Sequence, residues 1–549
     1  MGISIKLQND YGYKWEEYEG NYAKGFAFLN GELYTGKQLI KMFLELEDFE
    51  NIDSIMPKLQ GIFALVIQKD GDIYLIEDIT RTFPLFYAKA GDDIIITDDT
   101  FYLRDKLNAK FNPDFCAEFL RCLYVTGPYT LLDGIYQVQA GEIVHLSQSG
   151  DISGHFYYDY TVKRHEITTK PVDKLSQELY TILNRVIDRL IDYANGRTIV
   201  IPLSGGYDSR VIATLLTEKG YDDVICYTYG RRDSSEVNTA KDVAGVLGCE
   251  WIYVEITDEI VPSGYPYEDW FIEFYKFAFN HVSTIHLQDF FVFRHLIDND
   301  LIPNKAIVVP GHSGDFLGGS HLRKLLLPKS REDVWKRALA MHYILNEHIK
   351  LPNSVRDKFW QYLNRYPDDV LVYSLDDNWN MVERQAKFII NSNRAYEFFG
   401  YEHAVPLWDI ELVEFFRRLP IELKYTRVLY NEVLENRIFK PMGVLIKQDE
   451  KAFTLREKFY RRVFKAKGIF KNLRYFAELH LPYQIKRPLR DFVWPDENNM
   501  KVVATPILRE LNRKYSFSEF HGIVAEWCLK RAKCSIVGGE DNEVAGNSQ

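Results

Sequence analysis

None of the six cysteines (Cys116, Cys122, Cys226, Cys249, Cys528 and Cys534) stands in a Cys-x-x-Cys pair, and no histidine cluster accompanies them. That excludes a spaced zinc site and predicts reduced thiols. No apolar run approaches the ~20 residues that cross a bilayer. The start, Met1-Gly2-Ile3-Ser4-Ile5-Lys6, has no apolar signal core, and Lys6 stands where a myristoylation signal wants Ser or Thr. Basic charge is short: 67 Lys and Arg against 78 Asp and Glu give −11. Such a balance offers no general attraction to nucleic acid. One basic stretch at 456–474, with Lys458, Arg461, Arg462, Lys465, Lys467 and Lys471, reads as a solvated helical face. The absences together predict a soluble, cytoplasmic chain without a nucleic-acid or membrane partner. Its 549 residues are too many for one core, so about two to four domains are expected.

The most informative stretch is Ser204-Gly205-Gly206-Tyr207-Asp208-Ser209. It follows the apolar run Thr198-Ile199-Val200-Ile201-Pro202-Leu203 and precedes Arg210-Val211-Ile212-Ala213-Thr214-Leu215-Leu216. That is a buried strand, a glycine-rich turn and an amphipathic helix. Two glycines let the backbone approach an anion, and the helix start offers free N–H groups and a dipole end. Ser204 and Ser209 add hydroxyls, and Asp208 can hold magnesium beside phosphates. The loop lacks the Lys-Ser/Thr of a Walker loop and the third glycine of a dinucleotide fold. It resembles the loop of ATP pyrophosphatases, which cleave ATP to AMP and pyrophosphate.

Residues 1–160 read as a layered α+β domain. Short apolar runs at 25–29, 61–67, 72–76 and 94–96 alternate with turn residues, and Asn30-Gly31 and Asp70-Gly71 are hairpin signals. Helical patterns fall near 37–48 and 113–123. A polar stretch at 161–171 reads as a linker. From 173 to 536 a second domain begins with a helix at 173–194, then alternates strands (198–203, 224–229, 251–256, 306–310) with helices, the pattern of a doubly wound parallel sheet. The helical period dominates after about 325. The polar end, 537–549, reads as a disordered tail. In such sheets ligands bind beyond the carboxyl ends of the strands, where Gly311-His312-Ser313-Gly314-Asp315-Phe316-Leu317-Gly318-Gly319 follows the last strand. Asp315 could there join Asp208 around magnesium, although a capping Asp in an ordinary turn reads the same.

Taken in order, these motifs resemble the asparagine synthetase family, with its relatives β-lactam synthetase and the lasso-peptide cyclases, over nearly the whole chain. Asn30-Gly31-Glu32-Leu33-Tyr34, Leu59-Gln60-Gly61-Ile62-Phe63-Ala64, Asp78 with Pro84-Leu85-Phe86-Tyr87, and Leu131-Leu132-Asp133-Gly134-Ile135 with Gly141-Glu142 resemble the family's glutaminase domain, an Ntn-type fold. Ser204 to Ser209 resembles its ATP loop, the 311–319 segment its S-G-E-G-A-D-E-x-F-G-G, and Glu402-His403-Ala404-Val405-Pro406-Leu407-Trp408-Asp409 its E-x-R-x-P-F-L-D. Family glutaminases begin Met-Cys-Gly, whereas Met1 here is followed by Gly2 and no cysteine precedes Cys116. Because the thiolate is indispensable to that amide hydrolysis, the front domain is expected to be a non-hydrolytic remnant with Asn30 and Gly31 structural.

The resemblance implies an AMP-releasing ligase: a carboxylate attacks the α-phosphate of ATP, and ammonia or an amine then displaces AMP. It assigns Leu203, Ser204, Gly205, Gly206, Asp208, Ser209, Tyr229 and Gly311 to ATP, and Asp208 and Asp315 to Mg2+. A catalytic lysine is expected at Lys451 or Lys447. His312, where synthetases carry Glu, could serve as a general base poised near neutral pH. Glu402 could touch substrate or orient His312. Phe316 in place of Glu and Ala404 in place of Arg put free aspartate in question as the substrate. Asparagine synthesis with free ammonia or ammonia from a separate source, joining of another carboxylate and amine, and a non-catalytic nucleotide-binding remnant all fit the residues.

Overall fold

Side-chain alternation builds the front of the molecule. In the strand Asn21–Leu29, Phe26 and Phe28 face one way and Ala23 and Ala27 the other. In this computed structural model, which describes residues 2–46, 52–446, 496 and 498–534, that strand lies within a seven-stranded antiparallel sheet. The order is Ile152–Phe156, Glu142–Leu146, Asp72–Glu77, Gln60–Lys69, Asn21–Leu29, Glu16–Tyr18, with Glu32–Thr35 also paired to Asn21–Leu29. The alanine face is covered by Leu39, Ile40 and Phe43 of the helix Gly36–Leu44. The phenylalanine face shares a core with Leu85, Tyr87, Ile94 and Ile96 of a four-stranded sheet, ordered Ile3–Lys6, Asp93–Thr97, Phe86–Ala90, Ile135–Gln137. Leu103 of the helix Thr100–Leu107 covers that sheet's far side. The result is helix, sheet, sheet, helix. Both expected hairpins form, with φ positive at Asn30, Gly31, Asp70 and Gly71 as a type I′ turn requires.

One carboxyl group in this sandwich sets a pH dependence. Glu142 is buried, accepts the Gln139 N–H at 2.7 Å, and is pushed up to about 7 by burial. A folded-state value above the unfolded one means the native chain binds the extra proton, so stability falls as pH rises from about 4.5 through 7. Glu142→Gln is expected to raise the free energy of unfolding by about 1–3 kcal/mol at pH 8 and by little at pH 5. Urea titrations at both pH values check this.

The stretch 161–171 is more than a tether. Val162 N–H bonds Ser374 Oγ at 3.0 Å, Arg417 donates to the Thr161 carbonyl at 2.8 Å, and residues 164–166 form a short 3₁₀ turn. The core is also continuous across it. Phe26 stacks on Tyr193 of the helix Val172–Ala194 with centroids 3.6 Å apart, and Tyr13 Oη donates to the His403 carbonyl at 2.6 Å.

The third sheet, in the rear half, is five-stranded and wholly parallel, in the order Glu250–Val254, Val224–Tyr229, Ile199–Pro202, Ile307–Val308, Glu402–His403. Both faces are buried, which is why its strands read as unbroken apolar runs. Ile199 and Ile201 pack with the helices Val172–Ala194, Asp208–Glu218 and Ser235–Leu247, while Val200, Ile225 and Tyr227 pack with Asp269–Phe279 and Phe290–Asp298. The expected strand at 306–310 pairs only at Ile307–Val308, since the chain turns at Pro310, which has no N–H to give. After Val372–Trp379 the chain winds as a π-helix over Asn380–Ile389, a wide turn that often marks a functional region.

Candidate functional site

Strand order reverses beside Ile199–Pro202: later strands lie to one side through Val224–Tyr229, and the return lies to the other at Ile307–Val308. At such a switch point the two outgoing loops diverge and open a crevice. Here they are the 203–209 and 309–315 loops. A Cβ on Gly311 would lie 2.4 Å from Ser209 N and 2.9 Å from the Asp208 carbonyl carbon, so only glycine lets the loops meet. Gly205 runs close to the backbone of Glu236, 3.1 Å from an added Cβ to its Cα.

Hydroxyls fold the first loop. Ser209 Oγ accepts the Ser204 N–H at 3.0 Å, and Ser204 Oγ accepts the Gly206 N–H at 3.1 Å. Leu203 is held on both sides, its N–H on the Tyr227 carbonyl at 2.8 Å and its carbonyl under Thr228 Oγ1 at 2.7 Å. The helix Asp208–Glu218 then begins, aiming its free N–H groups at the crevice. Asp208 links the loops: Oδ2 accepts the Asp315 N–H at 2.8 Å, and Oδ1 accepts Tyr430 Oη at 3.0 Å. Burial, and then the neighbouring Asp315 charge, push the Asp208 carboxyl up to about 7. Two carboxylates sharing a desolvated site fit a divalent cation, whose charge would remove that penalty. Among the described residues no group of three or more His, Cys, Asp or Glu gathers to hold a metal unaided. Magnesium held here would therefore take its remaining ligands from phosphate oxygens and water.

The crevice is a cavity of about 370 Å³. Of the residues singled out from sequence, Leu203, Ser204, Gly206, Asp208, Ser209, Tyr229, Gly311, His312 and Asp315 all line it, with Gly205 packed behind on Glu236. His312 Nε2 meets Ser392 Oγ at 3.0 Å. Burial holds its imidazole at about 4, opposed only by the neighbouring Asn393 side chain. It is thus neutral throughout the physiological range rather than half-protonated there as the sequence reading expected. Phe316 faces the core, stacked on His321 at 5.0 Å and tilted to Trp408 at 5.9 Å.

Glu402 is not brought to this cavity. Adjacent strand residues point to opposite faces: Glu402 turns to Arg197 at 2.5 Å and Tyr193 Oη at 2.7 Å. There it lines a separate cavity with Tyr13 and Glu16 of the front domain. The expected role beside His312 is therefore corrected. Lys447 and Lys451 lie outside the described residues. In the front domain, burial pushes the Cys116 thiol up to about 11 and Cys122 well above its usual value, so neither resembles an activated nucleophile.

Residues that sequence reading missed complete the lining: Glu236, Asp289, Tyr396 and Arg427, with Tyr430 gripping Asp208 from behind. Asp289 is pushed up to about 6 by burial and bonds Tyr229 and Tyr396. Arg427 has no ion-pair or hydrogen-bond partner among the described residues and faces the loop, where its charge favours ionised Asp208.

A doubly wound sheet with a glycine-rich loop at its switch point, a helix start and paired carboxylates defines a nucleotide-binding α/β protein of the pyrophosphate-cradling kind. Residues 195–441 match the asparagine synthase family model. Microcin J25-processing protein McjC of Escherichia coli is 22% identical over 235 residues, which are 42% of each chain. The chain thus spans less than half the length of that curated relative. Among solved structures, an NH3-dependent NAD synthetase from Campylobacter jejuni is matched at 13% identity over 39% of this chain and 94% of that one, with a TM-score of 0.20. A glutamine phosphoribosylpyrophosphate amidotransferase from B. subtilis is matched at 10% identity over 54% and 63%, with a TM-score of 0.18. Scores this low add nothing to the fold seen directly in the sheet order.

Proposed function

We propose that this chain is an ATP-dependent ligase that adenylates a carboxylate and passes the acyl group to an amine, with Mg2+ as the metal. The observation that carries this reading is the meeting of Asp208 and Asp315 beneath the glycine-rich loop, at the opening of a cavity large enough for a nucleotide. A carboxylate oxygen attacks the α-phosphorus; the bond to the bridging β-phosphate oxygen breaks and pyrophosphate leaves with its electron pair. The amine nitrogen then attacks the acyl carbon, AMP leaves, and the nitrogen loses its proton. Neutral His312 lines the same cavity, but burial disfavours its protonation, so water takes that proton. Loop N–H groups and Arg427 face the phosphates, and magnesium, when bound by Asp208 and Asp315, neutralises charge on the leaving group.

The substrate is a carboxylate other than free aspartate. Phe316 gives its side chain to the core and offers the cavity no charge. The likeness to a microcin-processing protein makes the side-chain carboxyl of a peptide the first class to try. Both thiols nearest the front domain's start are inert by burial, so nitrogen comes from an amine or free ammonia, not from glutamine hydrolysed here.

Pyrophosphate release from MgATP over aspartate, glutamate and Asp- or Glu-bearing peptides, with ammonia, glutamine or a peptide amine, tests this. Peptide-dependent AMP formation supports the reading. Turnover of aspartate with glutamine as nitrogen source overturns both the substrate class and the inert front domain.

A further inference from the structure

Nearly every deep arginine near the helical layer is paired. Arg337 holds Asp376 at 2.6 Å, Arg394 holds Glu397 at 2.7 Å, and Arg417 holds Glu414 at 2.7 Å. Arg384 breaks the rule. It sits in the π-helical turn, surrounded by protein but reachable by solvent, and among the described residues it has no ion pair, hydrogen bond or aromatic ring beneath it. A guanidinium in such a place costs free energy unless an anion meets it.

Neighbouring contacts fix where this residue lies. Gln385, next in sequence, accepts from Ser313 Oγ at 2.8 Å and so ties the turn to the Asp315 loop. Lys387 ties it to the carbonyls of Val125 at 3.1 Å and Gly127 at 2.7 Å, beside Tyr124. His286 Nε2 bonds the Phe388 carbonyl at 2.7 Å, and the Phe388 ring stands 5.3 Å from that of His521. Arg384 acts electrostatically on Tyr124, Asp315, His286, His342 and His521. Near it Tyr124 Oη, His342 Nδ1 and His521 Nδ1 are buried without partners among the described residues.

Given the adenylating ligase proposed above, on which this rests, we propose that Arg384 binds the substrate carboxylate and presents it to the α-phosphate. Charge count separates this from a phosphate site. Burial, with help from Arg384, holds His286 at about 3, His521 at about 4 and His342 well below its usual value. With the three imidazoles neutral, Arg384 is the cation left to meet an anion there, and its planar fork matches a carboxylate bidentately. Arg427, by contrast, lines the nucleotide cavity and acts on Asp208.

The test labels the full-length protein with phenylglyoxal and maps modified arginines by mass spectrometry, with succinate and a magnesium-bound non-hydrolysable ATP analogue as probes. Arg384 is expected to react about tenfold faster than paired Arg337, and succinate to slow it about fivefold while the nucleotide does not. In ATP–pyrophosphate exchange, Arg384→Met is expected to lower kcat/KM for the carboxylate about 10²-fold with the KM for MgATP within about threefold, and Arg384→Lys to recover part of it. Unchanged melting temperatures check folding. Indifference to succinate, protection by nucleotide instead, or equal loss toward both substrates overturns the assignment. Failure of MgATP to shift the melting temperature of the wild type would instead sink the ligase reading, and the labelling result would still decide whether Arg384 meets a carboxylate.

Discussion

Asp208→Asn is expected to lower MgATP-dependent pyrophosphate release by about 10³-fold, with the protein still folded. The side chain does two things at one place. It joins the loops through the Asp315 N–H and Tyr430 Oη, and it supplies charge that only a cation beside phosphate makes worthwhile. An amide keeps one acceptor for these two donors and removes the charge. Without nucleotide, the variant should melt no lower than the wild type, because ionised Asp208 is disfavoured by burial and by Asp315. Scanning calorimetry with and without MgATP separates the effects: the wild type should gain stability from the ligand and the variant should not. A variant that retains turnover within about tenfold would remove the paired carboxylates from the chemistry.

Glu397→Gln should instead cost stability, about 3–5 kcal/mol. Glu397 is fully buried, with Lys24 Nζ at 2.5 Å and Arg394 Nη1 at 2.7 Å. Lys24 belongs to the front sheet, and Arg394 lies over the Phe277 ring at 3.5 Å in the second domain. Gly12 closes over the same carboxylate: a Cβ there would fall 2.3 Å from Glu397 Cγ. Removing the negative charge strands two cations in a dry interface. Urea unfolding gives the loss, and Lys24→Met in the Glu397→Gln background should return part of it. A loss below about 1 kcal/mol would mean that water reaches the triad.

The phosphate loop was legible because three local signals coincide there: an apolar run, paired glycines and an amphipathic helix. Asp315 was legible for the same reason, a short glycine-rich turn after a buried run. The hairpins at Asn30-Gly31 and Asp70-Gly71 declare themselves through residues that accept positive φ. Arg384 and Arg427 were not legible, since nothing in a helical period distinguishes a guanidinium with a partner from one without. Tyr430 lies in a stretch legible only as helical and Asp289 in one without a motif, and only the fold carries them to the crevice. Glu402 misled because a motif gives residue order but not which face of a two-residue strand each side chain takes. The basicity of His312 was misjudged for a related reason: how deep an imidazole lies is a property of packing, and here packing decides its protonation.

Phe26 stacked on Tyr193, and the apolar cluster that runs from the front sheets into the helices around the phosphate loop, bear on what happens if the two halves are parted. An isolated front half would bare Phe26, Phe28 and Ile62, and an isolated rear half would bare Val186, Leu190 and Trp408. Each fragment would be sticky and short of contacts. Deleting the first 160 residues would thus strip the rear half of a wall of its own core, whatever chemistry those residues carry.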